Sequence, residues 1–223
     1  MSRFYNRKCE VILEGGGYRY TIDSLRIKFN IVRSVIGFPN EAQIQIYNLS
    51  ADRIKDIAGF DFNESPSTIQ KMPFFVRVNA GYFDANADYA DSSDNNYGEI
   101  FSGYISNFIV SRENVDRILT IYAKNNARNW LNSISNFSVG ENMTAEQLVT
   151  RLAGDMGFSN PIIKIDNGTN KMRGKAVCND SRIEMDKMAA DYNFNWSMQG
   201  DNMYIIGKDK YNKNISQAIK IDN

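Results

Sequence analysis

A chain of 223 residues, 43% hydrophobic and 12% aromatic, can bury a proper core, which argues against global disorder and leaves room for one large domain or two modest ones. Its 26 basic and 26 acidic residues cancel and form no Lys/Arg run, so neither a specific nucleic-acid surface nor an anionic-membrane surface is expected. Histidine is absent, which removes Ser-His-Asp and Cys-His nucleophile activation and the usual zinc sites, and turns the expectation away from an enzyme.

Cys9 and Cys178 lie in no metal-spaced pattern and read as reduced, structural thiols. No apolar stretch has signal-peptide length at the N-terminus or membrane-spanning length elsewhere, so no membrane span is expected.

Residues 8–13 and 18–22 flank Glu14-Gly15-Gly16-Gly17, a hairpin signal; no Gly-Lys-Ser/Thr follows, so a phosphate loop is disfavoured. Leu25, Ile27, Phe29 and Ile31 alternate with polar residues as in a half-buried strand, and Ile36 to Asn40 is a turn. In "NEAQIQIYNLS" (40–50), Ala42, Ile44 and Ile46 point one way and Gln43, Gln45 and Tyr47 the other. Ser50 is a good helix N-cap, Asp52 suits the first turn, Ile54, Ile57 and Ala58 form a short apolar stripe, and Gly59 stands where a C-terminal cap is expected. The Tyr-Asn-Leu-Ser ending is therefore a strand-to-helix corner, with Tyr47 and Asn48 expected to buttress it within one subunit.

"FFVRVNAGYF" (74–83) and "EIFSGYISNFIV" (99–110) are further strands, joined by an acidic, turn-rich segment from Asp84 to Gly98. Asp84, Asp88, Asp91 and Asp94 could offer calcium hard oxygens, but the spacing lacks the alternation, central glycine and terminal glutamate of an EF-hand loop, so no metal site is expected. The segment is too long and too polar for mere chain reversal, which makes Asp84, Asp88, Tyr89, Asp91, Asp94 and Tyr97 candidates for a protein interface. "RILTIYAK" (117–124), with Leu119, Ile121 and Ala123 on one side, completes an antiparallel barrel or sandwich.

The character changes after about residue 128, which predicts two domains, 1–128 and 129–223. Thr144 with Gln147 makes a capping box before Leu148, Leu152 and Met156, and Gly157 ends that helix. Ser181 with Glu184 repeats the signature before Met185, Met188, Ala189 and Tyr192; a methionine stripe at this spacing reads as core. Residues 194–198 and 203–206 flank Gln199-Gly200-Asp201-Asn202 as a β-hairpin, and the tail from Lys208 is a last strand or a partner-binding arm.

The order of these pieces, "LRIKFNI", "NEAQIQIYNLS" feeding a short helix, "FFVRVNAGYF" with "EIFSGYISNFIV", "MTAEQLVTRLAGDMGF", then "SRIEMDKMAADYNFNWSMQGDNMYIIG", resembles the baseplate hub proteins of contractile-tailed bacteriophages and related injection machines. The resemblance spans most of the chain. It implies an α+β fold, predominantly antiparallel β, with a tail-tube-like β-barrel domain followed by a smaller helix-plus-β-hairpin region. It further implies a homotrimer at the tip of the tail tube, partnered by the tail tube protein, the central spike protein and other baseplate proteins, in a virion assembled in the host cytoplasm. No catalytic residue and no cofactor are expected. Two alternatives stay open: a hexameric distal-tail or tube protein, and a cell-wall glycan hydrolase using a carboxylate pair. For the latter, Glu99, Glu113, Glu141 and Glu184 are each better explained as turn, strand-end or capping residues.

Overall fold

The computed structural model of the chain describes residues 7–15, 17–58, 75–82, 96–166, 168–200 and 202–209. They divide into two compact units, one formed by 1–33 with 40–126 and the other by 34–39 with 127–223.

The first unit is built on an antiparallel seven-stranded sheet. Its strands are β1 (Arg7–Gly15), β2 (Tyr18–Ile22), β3 (Ile27–Val32), β4 (Glu41–Tyr47), β5 (Phe75–Tyr82), β6 (Asn96–Glu113) and β7 (Asp116–Lys124), and helix α1 (Ala51–Ala58) follows β4. The spatial order is β2-β1-β5-β6-β7-β4-β3, so β2 and β3 are the edges. Alternation explains which face packs. Val11 and Leu13, Ala42, Ile44 and Ile46, Val76 and Val78, and Leu119, Ile121 and Ala123 all point to one core cluster, as the two-residue period requires. Residues of both edge strands join the same cluster, Ile22 from β2 and Ile27 and Ile31 from β3. Ile54 and Ile57 of α1 close it, and α1 is held to the β2 edge by the Tyr20 hydroxyl, which donates to Asp56 Oδ2 at 2.5 Å. Phe29, expected to pack with Ile27 and Ile31, is 41% exposed on β3, which among the described residues has no neighbour on its outer side.

The corner at Tyr47-Asn48 has a compact physical cause. Asn48 takes a left-handed φ of 58°, which asparagine tolerates better than most residues. Its amide donates to the Arg117 carbonyl at 2.7 Å, its Oδ1 accepts from the Arg117 amide at 3.0 Å, and its Nδ2 donates to Asp116 Oδ1 at 2.8 Å. The side chain thus pins the end of β4 to the start of β7, and Ser50 then begins α1 by accepting at Oγ from the Arg53 amide at 3.4 Å. Gly59, expected to cap that helix, lies outside the described residues. Asn48→Ala removes these side-chain bonds and keeps a strained φ, and should cost about 1–3 kcal/mol in chemical denaturation.

The second unit holds α2 (Ala127–Asn132), β8 (Ile134–Val139), α3 (Ala145–Asp155), β9 (Ile162–Lys164), β10 (Lys175–Asp180), α4 (Ser181–Asp191), β11 (Phe194–Gln199) and β12 (Asn202–Gly207). β8 pairs antiparallel with β10, while β12 pairs antiparallel with β11 and parallel with β9. At α3 the expected capping box is present: Thr144 Oγ1 accepts from the Gln147 amide, and Gln147 Oε1 accepts from the Thr144 amide. The helix ends with the Phe158 amide donating to Ala153 and the Gly157 amide to Gly154, with Gly157 at φ +87°, the reciprocal C-terminal arrangement that favours glycine. Leu148, Leu152 and Met156 are fully buried with Met185 and Met188 in one core cluster.

The second capping box does not form. Ser181 is the first residue of α4 and Asp180 its uncapped N-terminal neighbour. The buried Ser181 hydroxyl shares a 2.8 Å hydrogen bond with Ser135 Oγ, which donates to Asp155 Oδ2 at 2.5 Å. Glu184 turns instead to Lys187 and Lys175, at 2.6 and 3.2 Å. A hydroxyl needed by a buried network is not free to turn back onto its own helix.

Residues 34–39, which leave the first unit between β3 and β4, pack as part of the second. Trp130 Nε1 donates to the Gly37 carbonyl at 2.5 Å, Phe38 lies against the Trp130 ring, and Gln199 Nε2 donates to the Ser34 carbonyl at 2.7 Å. A Cβ at Gly37 would stand 2.2 Å from Trp196 Cζ2, so only glycine allows this approach. Gly37→Ala is expected to lower stability by about 1–3 kcal/mol through overpacking, with a changed tryptophan emission maximum as the local readout.

Candidate functional site

The sheet of the first unit turns its main core-forming residues to one side and leaves on the other a mixed face, where charged side chains alternate with Ile12, Val32, Tyr104 and Ile109. Parity places Glu10, Glu14, Arg19, Lys28, Glu41, Arg77, Glu99 and Lys124 on this second face, opposite Val11, Leu13, Ala42, Val76 and Ala123. Register then brings opposite charges together. Glu14 faces Arg19 across β1 and β2 at 3.3 Å, Glu41 faces Lys124 across β4 and β7 at 2.6 Å, and Glu99 sits 2.9 Å from Arg77 across β6 and β5. Asn30, Gln43 and Gln45 add uncharged polar groups, and Lys28 lies 5.2 Å from the Tyr47 ring centre.

Of the interface candidates read from the sequence, Asp84, Asp88, Tyr89, Asp91 and Asp94 lie outside the described residues. Tyr97 is described, and it is tied inward. It lies on β6 opposite Gly81 of β5, and its hydroxyl donates to Glu10 Oε2 at 2.9 Å. Asn79 Nδ2 donates to the same oxygen at 3.2 Å, and Lys8 Nζ stands 4.9 Å from the Tyr97 ring centre. Burial, then the hydrogen bond to Glu10 and its charge, push the Tyr97 phenol up to about 12, so it remains a donor through the physiological range. The bonds from Asn79 and Tyr97 hold the Glu10 carboxyl below the usual glutamate range. A depressed carboxyl contributes stability above its unfolded value and loses it as pH falls through the folded one. Acidification below about pH 4 should therefore loosen the β1-β5-β6 junction, seen as faster amide exchange at residues 79–82 and 97–99, while Glu10→Gln removes that pH dependence.

The carboxylates weighed for hydrolysis are not brought together as an acid-base pair. Glu99 is paired with Arg77, Glu113 faces Asp116 at the β6-β7 turn, and Glu141 is exposed beyond β8. Burial pushes the Glu184 carboxyl up, but hydrogen bonds from Lys187 and Lys175 outweigh it and hold the group low, the reverse of what a general acid needs. Among the described residues, no group of three or more His, Cys, Asp or Glu could hold a metal ion, and no helix is long and apolar enough to cross a membrane. Cys9 is a half-buried free thiol and Cys178 an exposed one. Burial, then the Glu10 charge, push the Cys9 thiol up.

What sequence reading missed is the charge pairing and the tryptophan seat of residues 34–39. Arg77 and Glu99, or Glu41 and Lys124, are far apart in the chain, and only strand order joins them. The one available signal for the seat was that both tryptophans of the chain fall after residue 128.

Comparison with known proteins places this fold. A search of the curated proteins found no match. Among solved structures, the 43 kDa tail protein of prophage MuSo2 from Shewanella oneidensis is 13% identical, with a TM-score of 0.54 over 88% of this chain and 54% of that one. A tail protein from Neisseria meningitidis MC58 is 12% identical, with a TM-score of 0.52 over 90% and 50%. A chain of the lidded Francisella PdpA-VgrG complex is 11% identical, with a TM-score of 0.54 over 100% and 31%. The chain thus spans about half the length, or less, of these structural neighbours. The model of the baseplate hub gp41 family matches residues 8–221, and the chain accordingly belongs to that family, as a structural protein of a phage tail baseplate.

Proposed function

We propose that this protein is a hub subunit that closes into a threefold ring at the tip of the tail tube, joins the tube to the central spike and surrounds the channel through which DNA leaves. The observation that carries this reading is the pair of edges. Among the described residues, β2 and β3 each pair on one side only, and β3 presents Phe29 and Val32 at 41% and 59% exposure. Free edges with apolar side chains are a template for association, and a protein that stays soluble must cover or blunt them. An interface between two different edges is heterologous, and repeated by cyclic symmetry it closes into a ring in which no edge is left over.

In this reading the protein works by binding and shape and performs no catalysis. Its partners are further copies of itself, the tail tube protein, the central spike protein and other baseplate proteins, and assembly takes place in the host cytoplasm before the tail is complete. The acidic residues Asp84, Asp88, Asp91 and Asp94, together with Tyr89, supply a contact with neighbouring baseplate proteins. Co-expression with the tube and spike proteins of the same phage tests the bridging role. The expected result is one complex holding all three, lost when a proline is placed at Phe29, whose amide faces away from β4, since proline there blocks strand addition at the edge. Tube and spike proteins that assemble equally well without this chain would contradict it.

A further inference from the structure

β8 and β10 of the second unit pair, among the described residues, only with each other, so each has an open edge. Their register sets Asp180 opposite Ile134, and the Ser181 amide donates to the Ser133 carbonyl at 3.0 Å. In an antiparallel ladder that bond marks Asp180 and Ile134 as a non-hydrogen-bonded pair. The amides of Ser135, Phe137 and Val139 therefore face β10, and those of Ile134, Asn136 and Ser138 face outward. Strand edges are commonly blunted by charge or proline. β10 carries Lys175 and Asp180 at its ends, whereas β8 has neither charge nor proline. Three apolar side chains gather where β8 begins: Ile134 is 69% exposed, Leu131 of α2 58% and Ile183 of α4 36%. The bond from Ser181 to Ser133, and the Arg182 guanidinium 4.2 Å from the Trp130 ring centre, hold the end of α2 against the start of α4 there.

The other end of α4 shows what lies within reach of this edge. The Lys208 amide, just past β12, donates to the carbonyl of Asn193, just past α4, at 3.1 Å. Asp209, the last described residue, thus stands beside the C-terminal end of α4, while β8 begins beside its N-terminal end. With 11 residues, α4 is about 17 Å long. A stretch as long as residues 210–214 spans about 17 Å when extended. Beyond it comes Ile215-Ser216-Gln217-Ala218-Ile219-Lys220-Ile221, outside the described residues, in which Ile215, Ile219 and Ile221 share one parity and Lys220 has the other.

We propose that residues 215–221 add to β8 as its outer strand within the same chain, with Ile215, Ile219 and Ile221 covering Leu131, Ile134 and Ile183. The segment first read as a last strand or a partner-binding arm then serves as the former, and it closes β8 to strand addition by another chain. The proposal stands apart from the ring reading, whose edges, β2 and β3, belong to the first unit.

Amide exchange of the full-length protein, followed residue by residue by NMR at two concentrations, tests it. With β8 covered, all six amides from Ile134 to Val139 exchange slowly, at rates that do not depend on concentration. With the edge bare, only Ser135, Phe137 and Val139 are slow. I219D/I221D puts charge on the covering side and is expected to speed exchange at Ile134, Asn136 and Ser138 at least about tenfold, while Ser135, Phe137 and Val139 change little. K220Q, of the opposite parity, should leave all six as they are. Fast exchange at the three outward amides of the wild type, or protection that survives I219D/I221D, would overturn the proposal. Protection that appears only at the higher concentration would also overturn it, in favour of cover supplied by a second copy.

Discussion

Trp196→Ala is expected to lower the stability of the second unit by about 3–5 kcal/mol, the range for truncating a buried aromatic side chain. Trp196 is 3% exposed and belongs to the core cluster of Met185, Met188, Met198 and Ile205. Its ring also forms the floor beneath Gly37, and its Nε1 donates to Asp186 Oδ1 at 2.8 Å. Removing it opens a cavity and strips Asp186 of a donor, and these costs add because neither can be repaired by a small shift. Trp196→Phe keeps most of the ring and loses the N–H, so it should cost about 1–2 kcal/mol. Urea unfolding followed by the emission of Trp130, the other tryptophan of the chain, measures both. A loss below about 1 kcal/mol for the alanine variant would mean that the seat is not packed as described.

Leu119→Ala should be comparably damaging in the first unit, at about 2–5 kcal/mol. Leu119 is fully buried in β7, a central strand, where register sets it opposite Ile46 of β4 and Val110 of β6. A cavity there is lined from both neighbouring strands, each fixed by its own ladder of hydrogen bonds, so collapse is limited and the upper half of the range is expected. Since both tryptophans lie in the second unit, this loss should appear in the far-ultraviolet circular dichroism of the sheet before it appears in tryptophan emission. Val32→Ser, on the exposed side of the β3 edge, should change monomer stability by no more than about 0.5 kcal/mol.

Where a local pattern coincided with a packed face, the sequence was readable. Ala42, Ile44 and Ile46 alternate because β4 has one dry side, and the Thr144 capping box together with the glycine at 157 marks both ends of α3. Of the elements between residues 127 and 180, α2, β8 and β9 were not readable, for different reasons. α2 spans six residues and carries no capping signal, and β9 is three residues long with each of them half-buried. In β8 the inward face mixes the fully buried Ser135 with Phe137 and Val139, and one partner of the serine hydroxyl comes from Ser181 in α4. β6 runs past its apolar stretch to 18 residues because the register shifts beside Val78 and again between Ile105 and Asn107, which breaks a strict two-residue period.

For the candidate site, Tyr97 was legible as the end of a polar segment but not as the tether it is. Its partner Glu10 is 87 residues away, and nothing local announces that the sheet order places β1 and β6 on either side of β5. The same holds for the charge pairs of the mixed face. Composition gives a net charge of zero, but only strand register shows that Glu14, Glu41 and Glu99 each meet a cation from a neighbouring strand.

The central claim is closure into a threefold ring, and the most direct measurement is the solution mass of the purified protein by light scattering after gel filtration, over a range of concentrations and with the spike protein present and absent. The account predicts a trimer, formed alone at high concentration or on adding the spike protein, and lost when a proline is placed at Phe29, whose amide points outward on the β3 edge. A hexamer would contradict it in favour of a tube or distal-tail ring, and a monomer at every concentration, with the spike protein as without it, would contradict ring formation altogether.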